Sequence, residues 1–287
     1  MPRRRTTVIV VLTASAALAA WLCAPSAGAG FVYASPNGKP LHLDIDYPTG
    51  PGPHPVVLFA PHRGDWGPSF KRDDRCHRMV TALTRRGYAV ATVHYRLVGE
   101  HQFPAQIEDG KSAVRWLRAN AAQLGLVTDR IGAVGVSAGG YGVCMLGTTG
   151  PGDGFDPPGE DATAARVQAV VALGAPADLT TAVSPVVEHQ YLRPFLGARF
   201  ADDPARYTRA SPGTYASPDD PPFLLIHSAG DALIPVAQPR AFANKLRGAG
   251  VPVELVEEEG VVHVWGGERL DRTLERVGTF LDRHLRE

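Results

Sequence analysis

Short apolar segments alternate with helical patterns through most of this 287-residue chain. The segments are rich in Val, Ile, Leu and Ala, as expected for strands that are buried on both faces of a sheet. The predicted strands are residues 56–60, 88–94, 131–136, 167–173, 223–227 and 253–257. This alternation predicts an α/β fold with a mostly parallel, doubly wound sheet and helices on both of its faces.

Two stretches between and after these strands have the spacing of amphipathic helices. The recurring positions are Ile107, Gly110, Val114, Leu117, Ala121 and Leu124 in the first stretch, and Leu270, Leu274, Val277, Leu281 and Leu285 in the second. Each set predicts a helix face that packs against the sheet. Residues 31–46 alternate as short strands and a Pro/Gly loop follows at 48–55, which predicts an edge hairpin before the main sheet.

Residues 180–222 interrupt the alternation, because this segment is rich in Pro, Asp and aromatic residues. Its aromatic side chains include Tyr191, Phe195, Phe200, Tyr207 and Tyr215. We predict a small cap insertion here, with a solvated excursion that has no substrate role as the alternative. The rest of residues 30–287 is expected to form one α/β domain.

The N-terminal 29 residues have the pattern of an export signal. Three arginines precede an apolar run at 8–24, and a stretch of small residues follows. Ala27 and Ala29 provide small side chains at alternate positions, which predicts cleavage after Ala29. We therefore expect a signal peptide at 1–29 and a secreted protein, with an uncleaved membrane anchor as the alternative.

The charge balance and the cysteines limit the classes of partner. Lysine plus arginine and aspartate plus glutamate each number 29, so no net field attracts nucleic acid. We expect no nucleic-acid partner, and no stable membrane partner after signal cleavage, while the oligomeric state stays open. No metal-ligand spacing or phosphate-binding glycine loop is seen, which predicts no metal and no cofactor. Cys76 and Cys144 are expected to be free, buried thiols on opposite faces of the sheet.

A serine flanked by glycines directly follows the predicted strand at 131–136. The pentapeptide GVSAG at 135–139 opens a helical stretch, and strand, sharp turn and helix are the setting of a nucleophile elbow. The glycines allow close backbone approach, while the turn lifts the serine hydroxyl above the sheet. Ser137 is the predicted nucleophile, and a glycine-rich turn with a capping serine is the alternative.

The serine requires a base, and histidine has a suitable pKa near neutral pH. His263 follows the last strand and precedes the terminal helix, which is where this fold delivers its base. Asp231 is the first carboxylate after the strand at 223–227 and is predicted to orient the imidazole. Asp178 is the alternative acid, and a helix-capping turn is the alternative role for Asp231.

Acyl transfer also requires backbone amides that stabilise the developing oxyanion. Ala138, the residue after the serine, supplies one amide. Gly64 and Asp65, in the loop after the strand at 56–60, are the predicted second donors. A plain loop that packs a tryptophan is the alternative.

Several further segments match sequence motifs of one group of enzymes. They are GVSAGG at 135–140, HYRL at 94–97, FPAQIED at 103–109, AVRWLRANAAQLG at 113–125, RASP at 209–212, PPFLLIHSAGDALIPVAQ at 221–238 and GVVH at 260–263. Through them the chain resembles bacterial carboxylesterases of the α/β-hydrolase superfamily, of the BD-FAE and hormone-sensitive-lipase-like types. The resemblance implies the α/β-hydrolase fold and ester hydrolysis by Ser137, Asp231 and His263.

One loop departs from that family. Relatives carry a His-Gly-Gly-Gly-Trp type loop, whereas this chain has HRGDW at 62–66. Backbone donors survive the two replacements, but the side chains of Arg63 and Asp65 would narrow the acyl pocket or bring a cation near it. We predict that Arg63 and Trp66 contact the substrate, with Arg63 facing a polar or anionic part of it. An Arg63–Asp65 salt bridge is the alternative.

These features predict a secreted serine esterase that hydrolyses small-molecule carboxylic esters through an acyl-enzyme. The aromatic residues of the cap indicate a modest apolar site, which favours short acyl groups. Two alternatives remain open at this stage. One is a small amidase or peptidase-like serine hydrolase, and the other is a hydrolase-like binding protein that has lost turnover.

Overall fold

The computed structural model describes residues 30–61, 73–157, 159–181, 187–260, 263 and 265–286. Eight strands of the described chain form one sheet. They are β1 Phe31–Ala34, β2 Leu41–Asp46, β3 His54–Ala60, β4 Ala89–Val93, β5 Leu126–Val136, β6 Ala169–Leu173, β7 Phe223–Ser228 and β8 Val253–Glu258. Their spatial order is β1-β2-β4-β3-β5-β6-β7-β8, so β5 lies near the middle of the sheet.

The pairing of the strands agrees with the predicted hairpin and parallel sheet. β1 pairs antiparallel with β2, and β2 pairs antiparallel with β4. The remaining pairings, from β4 across to β8, are parallel. One boundary was predicted wrongly, because β5 begins at Leu126 and not at residue 131. Leu126 and Val127 pair with His54 and Pro55 before the register of β3 and β5 shifts.

Helices connect most of the parallel strands. They are α1 Asp74–Arg85, α2 Ala105–Ala119, α3 Ala121–Leu124, α4 Ala138–Thr148, α5 Arg193–Leu196, α6 Pro204–Arg209, α7 Ala237–Gly248 and α8 Gly267–Leu285. The Asp73 carboxylate caps α1 by accepting a hydrogen bond from the Arg75 amide at 3.0 Å. The amphipathic pattern predicted after residue 107 is divided between α2 and α3, because Asn120 has φ −107° and ψ 9°.

Helices cover both faces of the sheet, as the alternation of elements predicts. α2, α4 and α7 pack on one face, where Val114, Val143 and Phe242 are buried with the side chains of the strands. α1 and α8 pack on the other face. Cys76 in α1 and Cys144 in α4 therefore lie in opposite layers, and both are buried and free. The prediction of two unbridged thiols is confirmed.

The segment predicted as a cap, where the structure describes it, packs on the body through aromatic rings. A π-helical turn at Glu188–Leu192 leads directly into α5, and α6 and a 3-10 turn at Pro212–Thr214 follow. The Phe195 ring lies 5.8 Å from that of Phe103 and 5.5 Å from that of Tyr141, centroid to centroid. The Tyr141 hydroxyl donates to the Ala210 carbonyl at 2.8 Å. These contacts connect the segment to α4 and to Phe103, which lies just before α2.

The predicted signal peptide at 1–29 lies outside the described residues. Among the residues that are described, no helix is both long enough and apolar enough to cross a bilayer. The division into a signal peptide, one domain and a cap stays a prediction.

Candidate active site

The predicted nucleophile forms the junction between β5 and α4. Ser137 has φ 53° and ψ −116°, a conformation that costs a non-glycine residue about 1–3 kcal/mol. Two backbone hydrogen bonds hold the turn. The Ser137 amide donates to the Leu173 carbonyl at 2.8 Å, and the Tyr141 amide donates to the Ser137 carbonyl at 2.9 Å. The fold thereby holds the serine in a strained backbone conformation at the carboxyl edge of the sheet.

Two glycines beside Ser137 allow this sharp turn. A Cβ atom on Gly135 would overlap the backbone of Gly139, and one on Gly139 would overlap the carbonyl of Ala60 in β3. In both cases the obstructing atoms belong to the backbone and not to a flexible side chain. Only glycine therefore fits at these positions.

Replacing Gly139 with alanine is expected to lower the free energy of unfolding by about 3 kcal/mol or more, because the added methyl group has no space. Gly142→Ala is the matched control, since it lies in the same helix and no atom is within 4 Å of its Cβ position. The control is expected to be neutral or to stabilise by up to about 1 kcal/mol. Urea denaturation measures both variants, and equal stabilities would contradict the prediction.

His263 lies between Ser137 and Asp231 and is within hydrogen-bonding distance of both. Its Nε2 atom is 2.8 Å from Ser137 Oγ, and its Nδ1 atom is 2.6 Å from Asp231 Oδ2. Asp231 follows β7, and His263 lies between β8 and α8. The structure thus brings together the three residues predicted as nucleophile, base and acid, at the carboxyl edge of the parallel strands.

The Asp231 side chain has no solvent-exposed surface. Burial opposes its ionisation, but hydrogen bonds from His263 and from the Ile234 and Leu233 amides outweigh this effect and lower the pKa of the carboxyl. The two amides donate to Oδ1 at 3.0 and 2.8 Å, so Oδ2 faces the imidazole. Asp231 is therefore held as an ionised acceptor aimed at His263.

Asp178, the alternative acid, lies in a different environment. Its Oδ1 atom accepts hydrogen bonds from the Thr180 amide at 3.0 Å and the Thr180 hydroxyl at 2.6 Å. Its Oδ2 atom is 3.8 Å from Lys245 Nζ. Asp178 thus caps a local turn, and Asp231 is the carboxylate that contacts His263.

A second histidine, His227, lies close to Asp231, and sequence reasoning missed this contact. Its side chain is 1% exposed, and Nε2 lies 2.8 Å from the Ile234 carbonyl and 3.5 Å from Asp231 Oδ2. A carbonyl only accepts hydrogen bonds, so Nε2 carries a proton. Burial lowers the pKa of His227 and favours its neutral form. His227 and Asp231 are four residues apart across a turn, and this proximity has no signature in the sequence.

Only part of the predicted oxyanion site lies within the described residues. Ala138 is the first residue of α4, and an amide at that position has no acceptor within its own helix. It is therefore available to an oxyanion beside Ser137. The predicted donors Gly64 and Asp65, and the predicted substrate contacts Arg63 and Trp66, lie outside the described residues.

A cavity of about 1030 Å³ opens beside Ser137 and His263. Most of its lining side chains are apolar, and they come from the sheet, from α2 and α4, and from the loops after β4, β6 and β7. Three charged residues at the start of α1 also line it, namely Asp73, Asp74 and Arg75. The segment at 180–222 borders the cavity through Val187, Tyr191, Leu192 and Phe195 together with Gln190. Within the described ranges, no cluster of His, Cys, Asp and Glu side chains has the arrangement of a metal site.

Comparison with known proteins decides the family. The model of the BD-FAE family matches residues 43–246, a range that includes Ser137 and Asp231. The chain belongs to the BD-FAE family. The resemblance predicted from the sequence motifs is confirmed, and the sheet and helices described above are those of an α/β-hydrolase fold.

Relatives of this BD-FAE chain include named esterases. It is 31% identical over 222 residues to Esterase LipQ of Mycobacterium tuberculosis, covering 75% of this chain and 52% of LipQ. It is also 31% identical over 215 residues to Carboxylesterase NlhH of the same species, covering 73% of this chain and 66% of NlhH. The chain spans about half the length of LipQ.

A solved structure with the same architecture is that of a thermophilic esterase, Est2, from Thermogutta terrifontis with propionate bound. It superimposes with a TM-score of 0.71 at 27% sequence identity. The superposition covers 90% of the BD-FAE chain and 94% of the Est2 chain. The likeness therefore includes nearly all of both chains.

Proposed function

We propose that this protein is a serine carboxylesterase in which Ser137 is the nucleophile, His263 the general base and Asp231 the orienting acid. The observation that carries the proposal is the continuous chain of short contacts, 2.8 Å from Ser137 to His263 and 2.6 Å from His263 to Asp231. Nucleophile, base and orienting group within hydrogen-bonding reach are the signature of an activated serine. The esterase names of LipQ, NlhH and Est2 support the same chemistry.

In the proposed mechanism, Ser137 Oγ attacks the ester carbonyl while His263 Nε2 accepts its proton. The bond from the carbonyl carbon to the alcohol oxygen then breaks, and His263 returns the proton to that oxygen. A water molecule attacks the acyl-enzyme by the same route, releases the carboxylic acid and restores the serine. The amides of Ala138, Gly64 and Asp65 are the proposed donors to the oxyanion.

We propose short aliphatic acyl groups as the preferred acids, and small molecules as the substrates. An apolar cavity next to Ser137 favours an uncharged acyl chain, and propionate, a short carboxylate, is bound to Est2. We also propose that Arg63 and Trp66 contact the substrate. The N-terminal pattern at 1–29 supports export, so we propose that the enzyme acts outside the cell.

A combined labelling and turnover experiment tests this function. The protein is treated with a fluorophosphonate probe, the adduct is located by mass spectrometry, and hydrolysis of p-nitrophenyl butyrate is measured alongside its matched p-nitroanilide. We expect an adduct on Ser137, loss of turnover in step with labelling, and faster cleavage of the ester than of the anilide. Heat-unfolded protein is the labelling control.

Each of the other outcomes would indicate a different function or a different nucleophile. Faster cleavage of the anilide would replace the esterase proposal with an amidase. A folded protein that neither reacts with the probe nor hydrolyses either compound would be a binding protein on a hydrolase fold. Labelling at a residue other than Ser137 would remove the proposed nucleophile.

A further inference from the structure

The strand order divides the cavity into two halves around Ser137. Ser137 follows β5, with β3 and β4 on one side of that strand and β6 and β7 on the other. The cavity residues Leu58 and Val93 lie on β3 and β4, whereas Leu179 and Ile234 follow β6 and β7. Both halves adjoin the serine, so each has room for one part of an ester.

The position of His263 indicates which half receives the alcohol part. A Cβ atom on Gly174, just after β6, would lie 3.0 Å from the His263 carbonyl oxygen and 3.5 Å from its ring Cε1, and Asp231 follows β7. The imidazole therefore lies on the β6–β7 side of Ser137. Because His263 must protonate the leaving oxygen, the alcohol part occupies that half. The acyl chain is then directed toward β3 and β4.

Gly142 borders the path into the acyl half. It follows Ala138 by about one turn of α4 and precedes Leu146 by another, so the three residues lie along one face of the helix. All three residues line the cavity. Apart from its chain neighbours and the backbone of α4 itself, no atom lies within 4 Å of the Cβ position of Gly142. A side chain there would therefore occupy space that is now open to the substrate.

The far end of this half is closed by the contact between α2 and α4. Leu146 Cδ atoms lie 3.3 Å from the Cβ position of Gly110 on α2. Two polar residues of this half already make hydrogen bonds, Tyr95 from its hydroxyl to the Pro61 carbonyl at 2.8 Å and Gln106 from its amide nitrogen to the His101 carbonyl at 3.1 Å. Asp73, Asp74 and Arg75, at the start of α1, also line the cavity, and Arg75 is paired with Asp73 at 2.7 Å. The deeper wall, from Leu58, Val93 and Leu146, is apolar and almost fully buried.

We infer that Gly142 determines the length of the acyl chain that the enzyme accepts. Its missing side chain lets unbranched butanoyl and hexanoyl groups pass from Ser137 into the apolar chamber formed by Leu58, Val93, Gly110 and Leu146. Leu146 sets the upper limit of length at the chamber's end. This inference rests on the proposed esterase function and refines its acyl preference.

Steady-state kinetics on p-nitrophenyl acetate, butyrate, hexanoate and octanoate test the inference. In the unaltered protein, kcat/KM should be higher for butyrate or hexanoate than for acetate. Gly142→Leu should lower the hexanoate-to-acetate ratio of kcat/KM by about tenfold or more, since a pocket distinguishes even single methylene groups by that factor. Gly142→Ala should change the ratio in the same direction to a smaller extent. Leu146→Ala should raise the octanoate-to-butyrate ratio.

The control is Gly248→Leu. Gly248 is an exposed glycine of α7 with no atom within 4 Å of its Cβ position, and it does not line the cavity. It should leave the acyl preference unchanged. An equal loss on every ester in Gly142→Leu, or an unchanged ratio in both Gly142 variants, would overturn the inference while the esterase function stands. Absence of ester hydrolysis and of Ser137 labelling in the unaltered protein would overturn both.

Discussion

Replacing Ser137 with alanine is expected to lower kcat for p-nitrophenyl butyrate by about 10⁵-fold or more, because the acyl-enzyme can no longer form. Binding should change little, since the methyl group occupies the same apolar cavity. The variant should fold as well as the unaltered protein or better, because the change removes a half-buried hydroxyl whose contact is with His263. Burst and steady-state kinetics measure the loss, and a thermal melt checks the fold.

Comparing the two single variants with the double variant tests whether Ser137 and His263 act together. His263→Ala should reduce kcat to the same extent as Ser137→Ala, and the double variant should lose nothing further, because the two residues act as one unit. His189→Ala is the control, since His189 is exposed on the π-helical turn and does not line the cavity. Multiplied losses in the double variant would contradict the proposed pair.

The sequence predicts the central strands β3, β4, β6 and β7 well because they are buried on both faces. Such strands consist almost entirely of apolar residues, so they stand out from the amphipathic helices between them. The five-residue strand β4 has no exposed position at all. The start of β5 was missed because it lacks this continuous apolar pattern. Val127 is 37% exposed, and polar residues follow it before the apolar part of the strand.

Parts of the candidate site also follow from chain order. In a parallel sheet, the residues that come directly after the strands meet at one edge. This rule predicts that Ser137, Asp231 and His263 lie near one another, and the observed contacts agree with it. Their catalytic roles stay proposals. The choice between Asp231 and Asp178 needed the structure, because both follow a strand and only the turn geometry separates them.

Other features of the site depend on tertiary packing and had no sequence signal. His227 contacts Asp231 only because the turn after β7 folds back on the strand. The open space beside Gly142 is likewise a result of tertiary packing. The sequence does not show how much space surrounds a helical glycine. A Cβ atom would overlap backbone at Gly139, whereas it would lie in open space at Gly142.

Asp231→Asn is expected to lower kcat by about 10⁴-fold while the fold is retained. The Leu233 and Ile234 amides would still donate to the side-chain oxygen, as they now donate to Oδ1. The amide nitrogen would then face His263 Nδ1 and act as a donor. This contact stabilises the imidazole tautomer whose proton is on Nε2, so Nε2 cannot accept the Ser137 proton.

Asp178→Asn is the matched control for this change, because it makes the same chemical substitution in a carboxylate that caps a turn away from His263. It should retain the activity of the unaltered protein. Fluorophosphonate labelling rates, measured beside kcat, should fall in Asp231→Asn alone, since labelling requires an activated serine. Comparable losses in the two variants would mean that Asp231 acts through the fold and not through His263. A loss confined to Asp231→Asn, with an unchanged melting temperature, would identify it as the residue that orients the base.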